Sequence, residues 1–365
     1  MKHLLSIVLI AFTSLSLFAQ ADETPSGKLS GVFFMDYYYN AVRDSGFAAL
    51  QNKAVPGDKD VHGLQIRRIY LTYDYRFNSK FSSRLRLESD EANFTTNTSG
   101  NKASKFGMFV KDAYIKWKYT EGHDVTIGIQ PTPAFEVSEM VWGNRYIEKT
   151  ILDLRKIVPS RDMAISFKGK IDNNGILKYW LMYGNNSPGN PEGDKYKRYF
   201  AQIEASPVEN LVLTLYSDLQ TKSEFVNKFI PEEKLSNNTL TTAFFAGYRK
   251  KELFSVGLEA YSSIVNNGYK LADSYTNSNG LGFSLFGNYY FNGKYSIFGR
   301  FDRFDPNTHS DATGDSRNLF IAGFAIKPIE KFTISPNIFV ETFEKMGDRE
   351  IKSSVTPRIT ASFVF

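Results

Sequence analysis

Arg84 and Arg86 stand two residues apart in "FSSRLRLESD", with Glu88 following at the same interval. In an extended strand, residues i and i+2 project to the same side, so these charges share one face. The stretch before it, "RRIYLTYDYRF", sorts in the same way. Arg68, Tyr70, Thr72, Asp74 and Arg76 fall on one side, and Ile69, Leu71, Tyr73, Tyr75 and Phe77 on the other. In "KDAYIKWKY", Asp112, Tyr114, Lys116 and Lys118 oppose Ala113, Ile115, Trp117 and Tyr119, and Lys168 joins the polar set further on. Fixed cations along a narrow wet passage raise the local concentration of anions and replace part of their lost hydration. That chemistry is electrostatic and makes no bonds.

Acids share these faces: Asp74, Glu88, Asp90, Asp112, Asp162, Glu204, Asp302 and Glu341. Many of the cations are expected to pair with them across strands. The cations are the more numerous, which favours a modest preference for anions. Bond-making chemistry finds little support. There is no cysteine, and of the four histidines His3 lies in the leader described below, while His62, His123 and His309 fall in or beside links. No His pair has metal-ligand spacing, and no Gly-x-Ser-x-Gly elbow or phosphate loop occurs. The acidic pairs in "ESDEAN" and "IPEEKL" read as solvated surface. No cofactor and no enzymatic activity are expected. The net charge of +5 is spread without basic blocks, which argues against nucleic acid as a partner.

Charged faces on strand after strand need water, and the apolar faces opposite need lipid or a core. Period-two alternation runs from about residue 28 to the end and divides into roughly sixteen strands, the first at 28–40 and the last at 351–365. The links between them alternate strictly. Short ones read "NSK", "TEGHD", "DNN", "SPVEN", "RKKE", "FNGK" and "KPIE". Long ones run about 41–61, 91–105, 131–161, 186–195, 220–240, 264–279, 304–316 and 343–350. An all-β, antiparallel transmembrane barrel has this rhythm, with tight periplasmic turns and large external loops. Aromatics crowd the short links, as in "YDYRFNSKF" and "NYYFNGKY", where rings would sit at the lipid boundary. The composition agrees: mean hydropathy is −0.32 although Phe and Tyr number 31 and 21.

The start of the chain, "MKHLLSIVLIAFTSLSLFAQADE", has a charged head, an apolar run and small residues at Ala19 and Ala21. It reads as an export leader over 1–21, leaving 22–365 as one barrel domain. Since open strand edges cannot persist in hydrocarbon, the last strand, "IKSSVTPRITASFVF", must pair with the first, "GKLSGVFFMDYYYN". One link stands apart: "PTPAFEVSEMVWGNRYIEKTILDLRKIVPSRD" mixes Phe135, Val141, Trp142, Ile147, Ile151 and Leu154 with both signs of charge. It is expected to fold into the lumen, with its apolar residues on the wall. Arg145, Arg155 and Lys156 would then face Arg68, Arg84 and Arg86, with Arg161 at its exit.

Several stretches together resemble the phosphate-selective porin O and P family. They are "GLQIRRIYLTYDYRF", "FVKDAYIKWKY", "VTIGIQPTPAFEVSEM", "RYIEKT" followed by "PSRDMAISFKGKI", and "YWLMYGNNSPGN", with "FGRFDRFDPN" later. Ala164 stands where that family usually has Gly. The resemblance implies a sixteen-stranded, trimeric channel in the outer membrane of a Gram-negative bacterium, passing small inorganic or organic anions such as phosphate. It makes Arg68, Arg84, Arg86, Arg145, Arg155, Lys156 and Arg161 the nearest candidates for the family's basic ladder. A final Phe also resembles the terminal signature that outer-membrane assembly machinery reads. The competing readings are a plugged barrel acting as an adhesin, a barrel hydrolase and a secreted β-sandwich.

Overall fold

The computed structural model describes residues 24–46, 54–55, 57–90, 94–96, 102–187 and 190–365, so the leader expected at 1–21 lies outside the described residues. The chain runs through β1 (Ser26–Tyr39), β2 (His62–Arg76), β3 (Phe81–Asp90), β4 (Phe94–Thr96), β5 (Lys102–Phe106), β6 (Phe109–Thr120) and β7 (His123–Pro131). Two short helices follow, α1 (Glu136–Trp142) and α2 (Ile151–Leu154). Then come β8 (Arg161–Lys170), β9 (Leu177–Gly184), β10 (Arg198–Ala205), β11 (Leu211–Gln220), β12 (Phe225–Val226), β13 (Lys234–Leu235) and β14 (Thr239–Lys250). The last six are β15 (Phe254–Lys270), β16 (Tyr275–Tyr290), β17 (Tyr295–Asp305), β18 (Arg317–Ile329), β19 (Phe332–Phe343) and β20 (Ser354–Val364).

Sixteen of these strands close into one antiparallel barrel in chain order, while β4–β5 and β12–β13 form small hairpins within long links. Closure pairs β1 with β20 from Val32↔Val364 to Tyr38↔Arg358. Gly31 and Phe365 exchange both backbone hydrogen bonds, each 3.0 Å, so pairing extends to Phe365. A side chain at position 31 would overlap the Phe365 ring, which explains the glycine there.

Alternation decides what each strand shows. Along β11, Leu215 and Leu219 are exposed while Thr214, Tyr216 and Asp218 are buried. Along β3, exposed Leu85 alternates with Arg84 and Arg86, and Glu88 is buried. Rings gather toward the short-turn end, including Tyr73, Tyr75 and Phe77 in one row and Phe81 stacked on Trp117 in another. One reading needs correction: 264–279 is not a link. β15 and β16 continue outward as a ladder, with an irregularity between Val265 and Tyr269. The segment "VNNGYK" carries no apolar stripe because a hairpin in water needs none.

Period two breaks at two further places on the inner wall. Phe34 of β1 pairs with Arg68 of β2, but the next residue, Met35, pairs with Ile66. Arg86 of β3 pairs with Asp112 of β6, but Leu87 pairs with Val110. Arg67 and Lys111 are therefore the extra residues of two β-bulges, which let neighbours in sequence project to the same side.

Residues 132–160 pack against buried side chains of β8 to β19. Trp142 is fully buried, with ring centroids 5.2 Å from Phe286 and 5.9 Å from Phe298. Val137, Val141 and Ile147 join them in a cluster with Phe245, Leu319 and Phe339. Phe135, Ile151 and Leu152 form a second cluster with Trp180, Phe200, Tyr216, Tyr261 and Phe304. α1 ends at Gly143, whose φ of 68° is left-handed and whose N–H donates to the Glu139 carbonyl.

Candidate permeation path

Three cavities adjoin along the side of the barrel formed by β2, β3, β6, β7 and β8. At the long-link end, a cavity of about 740 Å³ is bordered by Phe109, Lys111, Lys156, Ile157, Arg161 and Arg198. It shares Lys111, Asp153, Ser160 and Arg161 with a middle cavity of about 270 Å³. That one shares Arg84 with a third, of about 400 Å³, opening among Ser26, Ser82, Lys116 and Lys118 at the short-turn end. A side chamber of about 470 Å³ with Lys168, Tyr179 and Trp180 meets the middle cavity at Glu136.

The middle cavity is the smallest of the three. Arg84, Arg86, Lys111, Arg145 and Arg161 line it, against Glu136, Glu139 and Asp153. The wall cations are held by carboxylates set behind them. Asp112, fully buried, takes Arg86 Nη1 at 3.2 Å and pairs also with Arg161 Nε. Glu88, likewise fully buried, takes Arg68 Nε at 2.9 Å and Lys111 Nζ at 2.7 Å. The side chains of Arg86, Lys111 and Arg161 keep 15–23% of their surface exposed, so the positive member of each of these pairs meets the bore. Arg84 departs from this scheme, forming a two-pronged pair with the more open Asp74 at 2.6 and 3.1 Å.

The remaining predicted residues divide. Arg145 reaches the middle cavity from the segment between the helices, braced by Glu139 at 2.6 Å and Asp153 at 3.2 Å. Arg155 does not face Arg68, Arg84 and Arg86. It turns to the far wall, where it is buried against Glu341 at 2.9 Å and lies 5.0 Å from the Phe304 ring centroid. Lys156, exposed and with a left-handed φ of 57°, borders the outer cavity. Lys116 stands 3.9 Å from Asp124 near the short turns. Lys168 lies on the Trp180 ring, 3.1 Å from its centroid, and pairs with Glu136 at 3.0 Å.

Two residues of the wall were missed by strict alternation, and both are bulge residues. Lys111 supplies one of the five cations of the middle cavity and donates to Ser160 Oγ at 3.1 Å. Arg67 pairs with Asp36 at 2.5 Å and donates to the Tyr146 carbonyl. Each bulge thus ties the wall to the 132–160 segment. The available signal was the charged doublet itself, Arg67–Arg68 and Lys111–Asp112, because strict alternation would put one member of each in lipid.

Burial raises the Asp153 carboxyl, but Lys149, Arg145, Arg68 and Lys111 outweigh it and hold it below its ordinary value. Glu136 follows the same balance, burial opposed chiefly by Lys168. Among the described residues, no group of three or more His, Asp or Glu side chains is placed to hold a metal ion.

The sequence pattern of the phosphate-selective porin O and P family matches residues 44–229, which contain every wall cation of the middle cavity. The chain belongs to that family. No curated protein matches the porin in sequence. Among solved structures it is similar to the outer membrane channel DcaP of Acinetobacter baumannii, with TM-score 0.65 and 11% identity over 95% of this chain and 99% of that one. An anion-selective porin from Comamonas acidovorans gives 0.64 at 12% identity, over 94% and 100%. OprB of Pseudomonas putida gives 0.62 at 11%, over 94% and 95%. These likenesses are ones of fold, and they extend past residue 229 to nearly the whole chain. Family and barrel together make this porin a channel of the Gram-negative outer membrane, rather than an enzyme.

Proposed function

We propose that this porin lets small hydrophilic solutes diffuse passively and prefers small anions, phosphate among them. The segment 132–160 would narrow the bore, leaving the charged side as the route. One observation carries the anion preference: at the middle cavity Arg86, Lys111 and Arg161 are presented to the passage, while Asp112 and Glu88 are fully buried behind them. A permeating ion therefore meets the positive side of each pair at closer range. Pairing also moderates the field, so that binding stays weak enough for release. The proposed site residues are Arg68, Arg84, Arg86, Arg145, Arg161, Lys116, Lys156 and Lys168, with Lys111 added. Arg155 serves to anchor the segment.

Planar-bilayer recording in a KCl gradient tests the reading. A reversal potential of anionic sign is expected; a cationic sign would remove the preference while leaving the pore. Export through residues 1–21 and assembly as a homotrimer belong to the same proposal. The trimer finds support in an apolar exterior able to meet either lipid or a neighbouring copy, and cross-linking in native membranes would test it.

A further inference from the structure

The three cavities differ in lining. The short-turn chamber is walled by serines, tyrosines and charges. The outer cavity instead sets Phe109, Ile129, Ile157, Val158 and Pro159 beside Lys111, Lys156, Arg161 and Arg198, with Asp90 and Asp153 as its acids. Inorganic ions gain nothing from an apolar strip, which offers no partner for a stripped hydration shell. A second observation points to a ligand. Arg198 is 3% exposed, and its Nε is held by Asp218 at 2.6 Å. Its Nη2 is buried with no hydrogen-bond partner among the described residues. Leaving such a donor unmatched is costly, and an incoming oxyanion would complete it. Lys156 adds a second cation, exposed at the same cavity and in no ion pair among the described residues.

We propose that this outer cavity is a docking subsite for organic carboxylates with an apolar body, ring or chain. The carboxylate lies on Lys156 and Arg198, the body lies on Ile157, Pro159 and Phe109, and the anion is then handed to Lys111 and Arg161. The inference rests on the anion-conducting reading above and names its solute class. The shared chemistry is one negative head joined to apolar surface, which separates these solutes from phosphate and acetate.

The test is block of chloride current through single channels by phenylacetate and by acetate, each added on the long-loop side and then on the other. Phenylacetate is expected to block at about tenfold lower concentration than acetate, ~1.4 kcal/mol, the value of a partly buried ring. The advantage should appear only from the long-loop side. In conducting channels of Ile157→Ser and of Phe109→Ser, the ratio of the two blocking concentrations should fall toward one. Lys156→Gln should weaken both blockers together. An anion-selective pore that treats the two carboxylates alike, or keeps the advantage in both apolar variants, overturns this inference and leaves the anion reading intact. A cation-selective reversal potential overturns both.

Discussion

The inner surface of this barrel has two sides built on one rule. On the side of β14–β19 the inward positions hold Phe245, Phe286, Phe298, Leu319, Ile321 and Phe339, and residues of the 132–160 segment cover them. On the side of β2–β8 the inward positions hold Arg84, Arg86, Lys111 and Arg161, and space remains in front of them, while Arg68 is buried on Glu88. The outward positions are apolar on both sides, as Leu85 and Ile115 show on one and Phe244 and Phe320 on the other. A lipid-facing surface therefore says nothing about the lumen behind it. What differs is whether the alternate residues are aromatic, which invites docking, or ionic, which keeps water.

The largest effect should come from undoing the apolar side. Trp142→Ala removes a fully buried ring, a change that costs about 3–5 kcal/mol in protein cores. The segment should come away from Phe286 and Phe298, and single-channel conductance should rise; unchanged conductance would mean that the segment does not limit the passage. Next in size is Arg145→Glu, which reverses a charge at the middle cavity. The anion-to-cation permeability ratio should fall by about tenfold, on the scale of unit charges a few ångströms apart in a partly wet site. A ratio that stays put would place the selective point elsewhere.

Lys111→Met should act in the same direction but less, by about threefold, because it removes one charge and leaves Glu88 to Arg68 alone. A pH series sharpens the picture further. Asp153 and Glu136 are held below their ordinary values, so their pairings are complete above about pH 4 and are lost only as pH falls through the lowered values. Anion preference should stay level from pH 7 to about 4 and increase below, as these carboxylates neutralise. A steady rise starting near pH 6 would implicate other groups. Lys116→Met, at a wide mouth beside Asp124, should move the reversal potential least of all.

Much of this was legible because a barrel strand has only two faces. Leu85 and Ile115 sort outward, and Arg84, Arg86 and Asp112 inward, on spacing alone. Strict alternation misplaced Arg67 and Lys111, since a bulge is a relation between two strands and leaves only a charged doublet in one. Their place on one segment puts Arg145, Arg155 and Lys156 together before the basic wall, and the structure sends Arg155 and Lys156 to different places. Their separation depends on Glu341, far along the chain, which no local pattern connects to them. The aromatic inner wall was likewise hidden, because in "YSIFGRFDRF" both faces carry rings and neither declares which one is dry.

The bulges at Arg67 and Lys111 have an engineering consequence. Each inserts one residue into a strand and returns to register within a step, so the lipid-facing stripe before and after it is untouched. Deleting residue 111 would restore the plain ladder and subtract a lumenal charge in a single genetic event. Selectivity can in this way drift by indels as well as by substitutions, with the membrane fit held constant.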